Sequence, residues 1–361
     1  MHYRIEEMLN AVIVGCGRIF AKHASAIERL SGEIRVSGII EKDDRKAIDA
    51  SNRFKCKKFF SIEEFIEKSS ADIAIILTPS GLHATHIKKI IGSVNTILVE
   101  KPACLNLGDL GDLCAFQKQG KQIFVVKQNR YNQPIMELKS WQNSKSSGEL
   151  VYGTVRLRWC RDKNYYAQDS WRGTWAYDGG VLTNQASHHI DILQMFMGEV
   201  EEVYATSIMG EASIEVENTA LVNLRFKNGA LGFIEATTAI RPTNMEASLS
   251  LIFDDCVAEI GGHALNNWLT IPKGLVSASE LNTNVGNASK DDKTDVYGAG
   301  HKALYQDLLK YFKNQKHQLV DIVEGGKSLI LLHAIYESIE TGLPVSILGS
   351  FPNSRLGMAT S

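Results

Sequence analysis

No stretch of about 18 apolar residues occurs in this 361-residue chain, so no segment has the make-up of a membrane-spanning helix. Neither sign of charge dominates. The 39 Lys and Arg stand against 41 Asp and Glu, a net charge of −2, without the basic excess of a dedicated nucleic-acid binder. Cysteine is sparse: the six residues at 16, 56, 104, 114, 160 and 256 form no CxxC pair and no Cys/His zinc spacing, so no metal is expected. Reduced thiols in a cytoplasm are the simplest reading. The opening MHYRIEEMLN places two glutamates where a secretory signal needs an apolar run. Internal repeats and low-complexity tracts are also absent. What the chain does have is 44% hydrophobic against 22% charged residues, enough to build cores and to exclude disorder. Its length, at about 150 residues per domain, favours two domains over three.

The first 130 residues alternate in character. Short β-branched runs at 10–15, 34–40, 71–77, 95–100 and 122–127 are separated by segments of helical apolar spacing at 19–30, 62–66, 83–91 and 105–116. Continuous apolar strands are what a parallel sheet covered on both faces requires, so residues 1–130 read as a doubly wound α/β domain. Beyond 130 the rhythm changes. A strand is expected at 148–160, with Val151, Val155, Leu157 and Trp159 on alternating positions. A helix follows at 184–197, then strands near 200–209, 217–226, 230–239, 247–254 and 256–260. Lys227-Asn228-Gly229 and Asp254-Asp255 supply hairpin turns, which points to a large, mostly antiparallel sheet in a second, α+β domain over 131–361. Residues 276–295 read as a polar surface loop. Helices are expected at 302–312 and 325–340, which could return to the first domain, followed by a polar tail at 349–361.

Gly15-Cys16-Gly17-Arg18-Ile19 lies between the first strand and the first helix, where a tight glycine turn lets backbone approach a pyrophosphate at a helix N-terminus. The third position of that fingerprint, usually small, is Phe20, which should alter helix packing. Glu41 ends the second strand and suits the ribose hydroxyls of NAD, while Lys42 and Arg45 keep NADP in play. Three further clusters sit at strand ends or on a helix: Thr78-Pro-Ser80-Gly-Leu-His83, Glu100-Lys101-Pro102, and Gly179-Gly180 through Asn184, His188 and Asp191. On a continuous helix the last three would share one face. Each cluster also has an ordinary explanation as a turn, a surface charge or a solvated stripe.

Taken together, GCGRI, TPSGLH, EKP, VVKQNR, WRGTW and GG…NQASHHID resemble the glucose–fructose oxidoreductase/inositol dehydrogenase (Gfo/Idh/MocA) family over nearly the whole chain. Within it they are most similar to bacterial UDP-N-acetylglucosaminuronate 3-dehydrogenases of surface polysaccharide (lipopolysaccharide) biosynthesis. The resemblance implies an N-terminal Rossmann domain and NAD-dependent oxidation of a sugar hydroxyl. It assigns catalysis to Lys101, His188 and Asn184, the last standing where the family more usually has aspartate. It implies cofactor contacts at Gly15, Gly17, Arg18, Ile19, Glu41, Thr78, Ser80, His83, Glu100, Lys101 and Gln128. Substrate contacts are implied at Lys101, Arg161, Tyr166, Arg172, Asn184, His188 and His301. It further implies a nucleotide-sugar substrate, a homodimer or homotetramer built on the open sheet face, and 2-oxoglutarate as reoxidant of a retained cofactor. The imidazole of His188 is suited to accept the hydroxyl proton while the Lys101 ammonium hydrogen-bonds the developing alkoxide, and Lys101 is the alternative acceptor if burial depresses its pKa to give the neutral amine. Other members oxidise UDP-N-acetylglucosamine or inositols, and one class is a non-catalytic regulator.

Overall fold

The computed structural model describes residues 8–144, 148–210, 214–276, 300–347 and 352–359. The chain divides into two compact units. One runs to Lys127 and resumes over His301–Lys327; the other holds Gln128–Gly300 and Ser328–Ser361.

The first unit contains β1 (Leu9–Val14), α1 (Phe20–Glu28), β2 (Ile34–Ile40), α2 (Asp44–Phe54), β3 (Lys57–Phe59), α3 (Ile62–Lys68), β4 (Ile73–Ile76), α4 (His83–Ile90), β5 (Thr96–Val99), α5 (Leu107–Lys118) and β6 (Gln122–Val125). Its sheet runs β6-β5-β4-β1-β2-β3, all parallel, with the short strand Val320–Asp321 added antiparallel beyond β6. Every residue of β4 and β5 is buried, which explains their unbroken apolar sequences. Strand order reverses between β1 and β4, the position where open α/β sheets bind ligands at their carboxyl ends. The stretch 44–59, left unassigned by apolar spacing, forms α2 and β3. Asp43 caps α2 by accepting the Arg45 and Lys46 N–H groups. Phe20 turns its ring edge-on toward Phe54 of α2, at 6.1 Å.

The second unit contains α6 (Gln133–Asn143), β7 (Leu150–Arg158), α7 (Lys163–Ala167), α8 (Ser187–Met197), β8 (Val200–Ile208), β9 (Thr219–Phe226), β10 (Leu231–Thr237), β11 (Glu246–Phe253), β12 (Val257–Gly261) and β13 (Asn267–Thr270). The sheet order is β13-β12-β11-β7-β10-β9-β8, closed by the short strand Val345–Ser346. Pairing is antiparallel except between β7 and β10, because α8, β8 and β9 intervene and bring β10 back in the same direction. Helix α8 seats on β7, where a side chain on Gly153 would lie 2.5 Å from the Met197 sulfur. Val155, Leu157 and Trp159 are buried as their alternation demands, but Val151, of the same parity, is exposed. Asn184 is not on α8: it lies in the turn before it, and the helix starts only at Ser187.

The expected loop over 276–295 lies outside the described residues apart from Val276, as do 297–299 of the segment ending at His301. The late helices run Gly300–Phe312 and Ile322–Thr341. Within the tail, which has a polar sequence, Leu356 is nonetheless fully buried. No described helix is long and apolar enough to cross a membrane, and all six cysteines are free.

Candidate active site

The glycine loop after β1 is shaped by one steric demand. Gly15 has φ +95°, and a Cβ there would lie 2.8 Å from Thr78 Cγ2 and 3.0 Å from the Thr78 nitrogen. Only glycine lets this turn close on the end of β4. Gly17 and Arg18 are exposed, and a side chain at Gly17 would meet nothing within 4 Å, which leaves room for a ligand against the backbone. Helix α1 follows from Ile19 without a side-chain cap, in contrast to α2, α3 and α5; the Phe20 and Lys22 N–H groups donate to the Gly17 and Ile19 carbonyls, so no side chain blocks an anion from this end of the helix. Glu41 accepts the Cys16 N–H at 2.7 Å and the Asp43 N–H at 3.0 Å, which ties the acidic end of β2 to the glycine turn. An open glycine backbone beside a fixed carboxylate fits the pyrophosphate and ribose of NAD.

Thr78 and Ser80 stand half-buried at the same sheet edge. His83 is buried: its Nδ1 lies 2.7 Å from the Pro102 carbonyl and its Nε2 2.7 Å from the Thr78 carbonyl. Burial drives its pKa down, although both carbonyls oppose that. The ring is therefore a strut between the segments that follow β4 and β5.

Lys101 directly follows Glu100 at the end of β5. Glu100 Oε2 accepts the Lys101 N–H at 3.0 Å, and Oε1 accepts from His23 Nε2 at 2.9 Å. An ionised carboxylate only accepts, so His23 donates through Nε2, and its Nδ1 lies 2.7 Å from the Tyr305 hydroxyl. Burial alone would raise the Glu100 pKa. The His23 hydrogen bond and the pull of His23, His301 and Lys101 overcome it and hold the carboxyl at about 2. His301 stacks edge-on against His23 at 5.0 Å and is 4% exposed. His23, Glu100 and His301 are close enough to resemble a metal cluster. His23 and Glu100 hydrogen-bond each other, and His23 also contacts the Tyr305 hydroxyl.

In the second unit, between Val181 and Leu193 only Asn184 and His188 escape burial. Gln128 Nε2 donates to His188 Nε2 at 3.0 Å. Asn184 Nδ2 donates to Asp178 Oδ1 at 2.6 Å, and Asp178 Oδ2 accepts the Gly173 N–H at 2.8 Å. Asp191, expected on the polar stripe, is instead buried in a two-pronged ion pair with Arg130 at 2.7 and 2.8 Å. That pair clamps α8 to the segment carrying Gln128.

The expected substrate cations are stacked. Arg161 lies 5.0 Å from both the Trp159 and Tyr165 rings, and Arg172 lies 4.7 Å from Tyr165 and 4.6 Å from Trp171. The result is an alternating ladder of rings and guanidiniums. Arg172 donates to Asp169 at 2.9 Å and to the Tyr165 hydroxyl at 2.8 Å. Arg161 donates to the Cys160 carbonyl and to Asn244, while its Nε is buried without a hydrogen-bond partner. Tyr166 hydrogen-bonds Thr238 at 3.2 Å, and burial pushes its phenol up to about 12.

Sequence reasoning missed His23, Asp178, Glu217 and Tyr336. His23 was findable as a histidine on the apolar face of α1, and Asp178 as the residue before Gly179-Gly180. Glu217 and Tyr336 meet only through the fold and carry no local signal.

Comparison with known proteins places these features. A model described as the NAD-binding Rossmann fold of an oxidoreductase family matches residues 9–128, and the GFO/IDH/MocA C-terminal domain matches residues 135–259. A WlbA dehydrogenase from Chromobacterium violaceum, solved with NADH and UDP-GlcNAcA, is 30% identical with a TM-score of 0.88, over 96% of this chain and 98% of that one. The WlbA dehydrogenase from Bordetella pertussis, solved with the same two ligands, is 29% identical with a TM-score of 0.84, over 94% and 99%. A myo-inositol 2-dehydrogenase of Thermotoga maritima is 26% identical over 62% of this chain, which spans just under two thirds, 66%, of that relative's length. The first unit thus carries an NAD-binding Rossmann fold, and the chain belongs to the GFO/IDH/MocA family of oxidoreductases.

Proposed function

We propose that the protein oxidises the 3-hydroxyl of a UDP-linked, N-acetylated hexuronate to the 3-keto sugar. The observation that carries this reading is the Gln128 N–H on His188 Nε2. It puts the ring proton on Nδ1 and makes Nε2 the accepting nitrogen, which takes a proton from a substrate hydroxyl once that hydroxyl replaces the amide. NAD, when bound, accepts the hydride that leaves the carbinol carbon. His188 and Lys101 share the hydroxyl proton: one receives it while the other hydrogen-bonds the developing alkoxide. Asn184, held by Asp178, is a neutral partner for the sugar or the histidine. The substrate class is supported by the UDP-GlcNAcA bound in two WlbA structures and by the Arg161 and Arg172 ladder, whose cations suit a carboxylate or diphosphate.

The test is reduced-nicotinamide absorbance with UDP-GlcNAcA, UDP-N-acetylglucosamine and myo-inositol assayed side by side. Turnover of the uronate above the others is expected; a preference for either neutral sugar would overturn the substrate assignment. Lys101→Met and His188→Gln should each lower kcat by about 100-fold or more. Two features of the cycle belong to the same reading. The cofactor stays bound and is reoxidised by 2-oxoglutarate, so substrate plus 2-oxoglutarate without added NAD should yield 2-hydroxyglutarate. The chain self-associates through the open sheet face, where Tyr204, Leu221, Leu231 and Val257 are exposed, and sedimentation should show a dimer or tetramer.

A further inference from the structure

Behind the turn that carries Asn184 lies a carboxyl group that the proposed chemistry does not use. Glu217 precedes β9 and is 4% exposed. Its Oε1 accepts the Leu182 N–H at 3.0 Å and the Tyr336 hydroxyl at 3.0 Å, and its own carbonyl accepts the Val181 N–H at 3.0 Å. Tyr336, from the helix Ile322–Thr341, in turn accepts from the Gly180 N–H at 3.2 Å and from Thr183 at 2.9 Å. One glutamate and one tyrosine therefore hold the backbone or side chain of four successive residues, Gly180 to Thr183. The next residue is Asn184. A methyl group on Gly180 would overlap the Glu217 carboxyl, so glycine is required where the turn rests on it.

We propose that Glu217 is a positioning residue that acts as the neutral acid, setting the turn that presents Asn184 and leads into the helix of His188. No cation faces this group in its hydrogen bonds. The ionisable groups turned toward it are Asp178, from the same turn, and the phenols of Tyr336 and Tyr166. Its Oε2 is buried with no hydrogen-bond partner among the described residues. A full negative charge there would be neither solvated nor paired, whereas a protonated carboxyl leaves only a weak dipole unsatisfied. Consistent with this, burial first and the Asp178 charge second push its pKa up to about 7, against hydrogen bonds that oppose the rise.

The inference rests on the proposed roles of Asn184 and His188, so its test includes readouts that need no turnover. Glu217→Gln keeps the shape and the acceptor but cannot ionise, whereas Glu217→Ala removes the clamp. The wild type should lose thermal stability, relative to Glu217→Gln, as pH rises from 4.5 through 7, because the folded form alone holds the extra proton. Parallel melting profiles for the two would overturn the neutral-acid assignment. Ring resonances of His188, identified by their loss in His188→Gln, should shift in Glu217→Ala and not in Glu217→Gln. No shift in Glu217→Ala would overturn the positioning role. With a working substrate, Glu217→Ala should lower kcat about 10- to 100-fold at unchanged KM for NAD. Glu217→Gln should recover most of that loss and lack the alkaline decline. Should Glu217→Ala fail to fold, Tyr336→Phe, which removes one donor, gives the same resonance test. Failure of every sugar substrate with the resonance and melting results intact would refute the enzymatic reading alone.

Discussion

Replacing His23 with phenylalanine tests how the lysine at the end of β5 is held. An aromatic ring is kept, but Glu100 Oε1 loses its donor at 2.9 Å and the Tyr305 hydroxyl loses its partner at 2.7 Å. The depression of the Glu100 pKa from 4.5 to about 2 corresponds to about 3 kcal/mol of preference for the ionised carboxylate in the fold. Most of that preference comes from His23, set against a burial cost that the substitution leaves in place. The expected loss is therefore about 3 kcal/mol, in the range for a buried charge deprived of its partner. All five tryptophans, at 141, 159, 171, 175 and 268, belong to the second unit, so fluorescence is the control and hydrogen exchange is the probe. Amides of α1 and β5 should exchange roughly 100-fold faster in the variant at neutral pH. The sign with pH follows from a depressed carboxylate. Its stabilisation is present above 4.5 and lost as pH falls toward about 2, so the gap between wild type and variant should close across that window. A change below tenfold, or a gap that persists in acid, would refute this account of Glu100.

Gly15→Ala should abolish NAD binding measured by calorimetry, since φ +95° and the 2.8 Å approach to Thr78 both forbid a side chain. Glu41→Ala should weaken NAD about tenfold and narrow the preference over NADP, read as the ratio of the two KM values, because the ribose acceptor and the brace on Cys16 N–H are lost together. Arg130→Met should cost about 3 kcal/mol in urea unfolding followed by tryptophan fluorescence, because Asp191 at 2% exposure loses its two-pronged ion pair.

Much of the first unit was legible because parallel strands announce themselves. Ile73–Ile76 is apolar throughout and Thr96–Val99 is apolar after its first residue, and a run of that kind with glycine or proline after it has few other uses. What escaped was amphipathic. Helix α2 buries little more than Ala47 and Ala50 and is fixed by its Asp43 cap, a signal easily lost among the charges of EKDDR. Asn184 was placed on a helix by its spacing to His188. The spacing is real, but the Glu217 and Tyr336 clamp holds residues 180–183 as turns, and α8 begins after them. Asp191 shared that spacing too, and only the fold reveals Arg130 as its partner, 61 residues away. The letters thus marked the residues that face outward and were silent on those behind them.

That division has a physical cause. A group proposed to handle protons must keep a lone pair or a hydrogen within reach of its substrate: Lys101 and His188, proposed for that task, are half-buried, as is Asn184, while the groups that aim them have no such need. Each has an identifiable backing: Glu100 for the main chain of Lys101, Asp178 for Asn184, Gln128 for His188. The backings differ in charge in a way the chemistry requires. Against the main chain of the lysine stands a carboxylate kept ionised at about 2, and against the histidine stands a neutral amide. Exchanging those characters should invert the effect. Gln128→Glu would place a carboxylate against Nε2, favour the imidazolium, and remove the lone pair that a base needs at neutral pH. The expected outcome is a kcat that recovers only as pH is raised, with the midpoint displaced upward from the wild type. An unchanged pH profile in Gln128→Glu would refute His188 as the acceptor of the proton and leave Lys101, which accepts one only as the neutral amine.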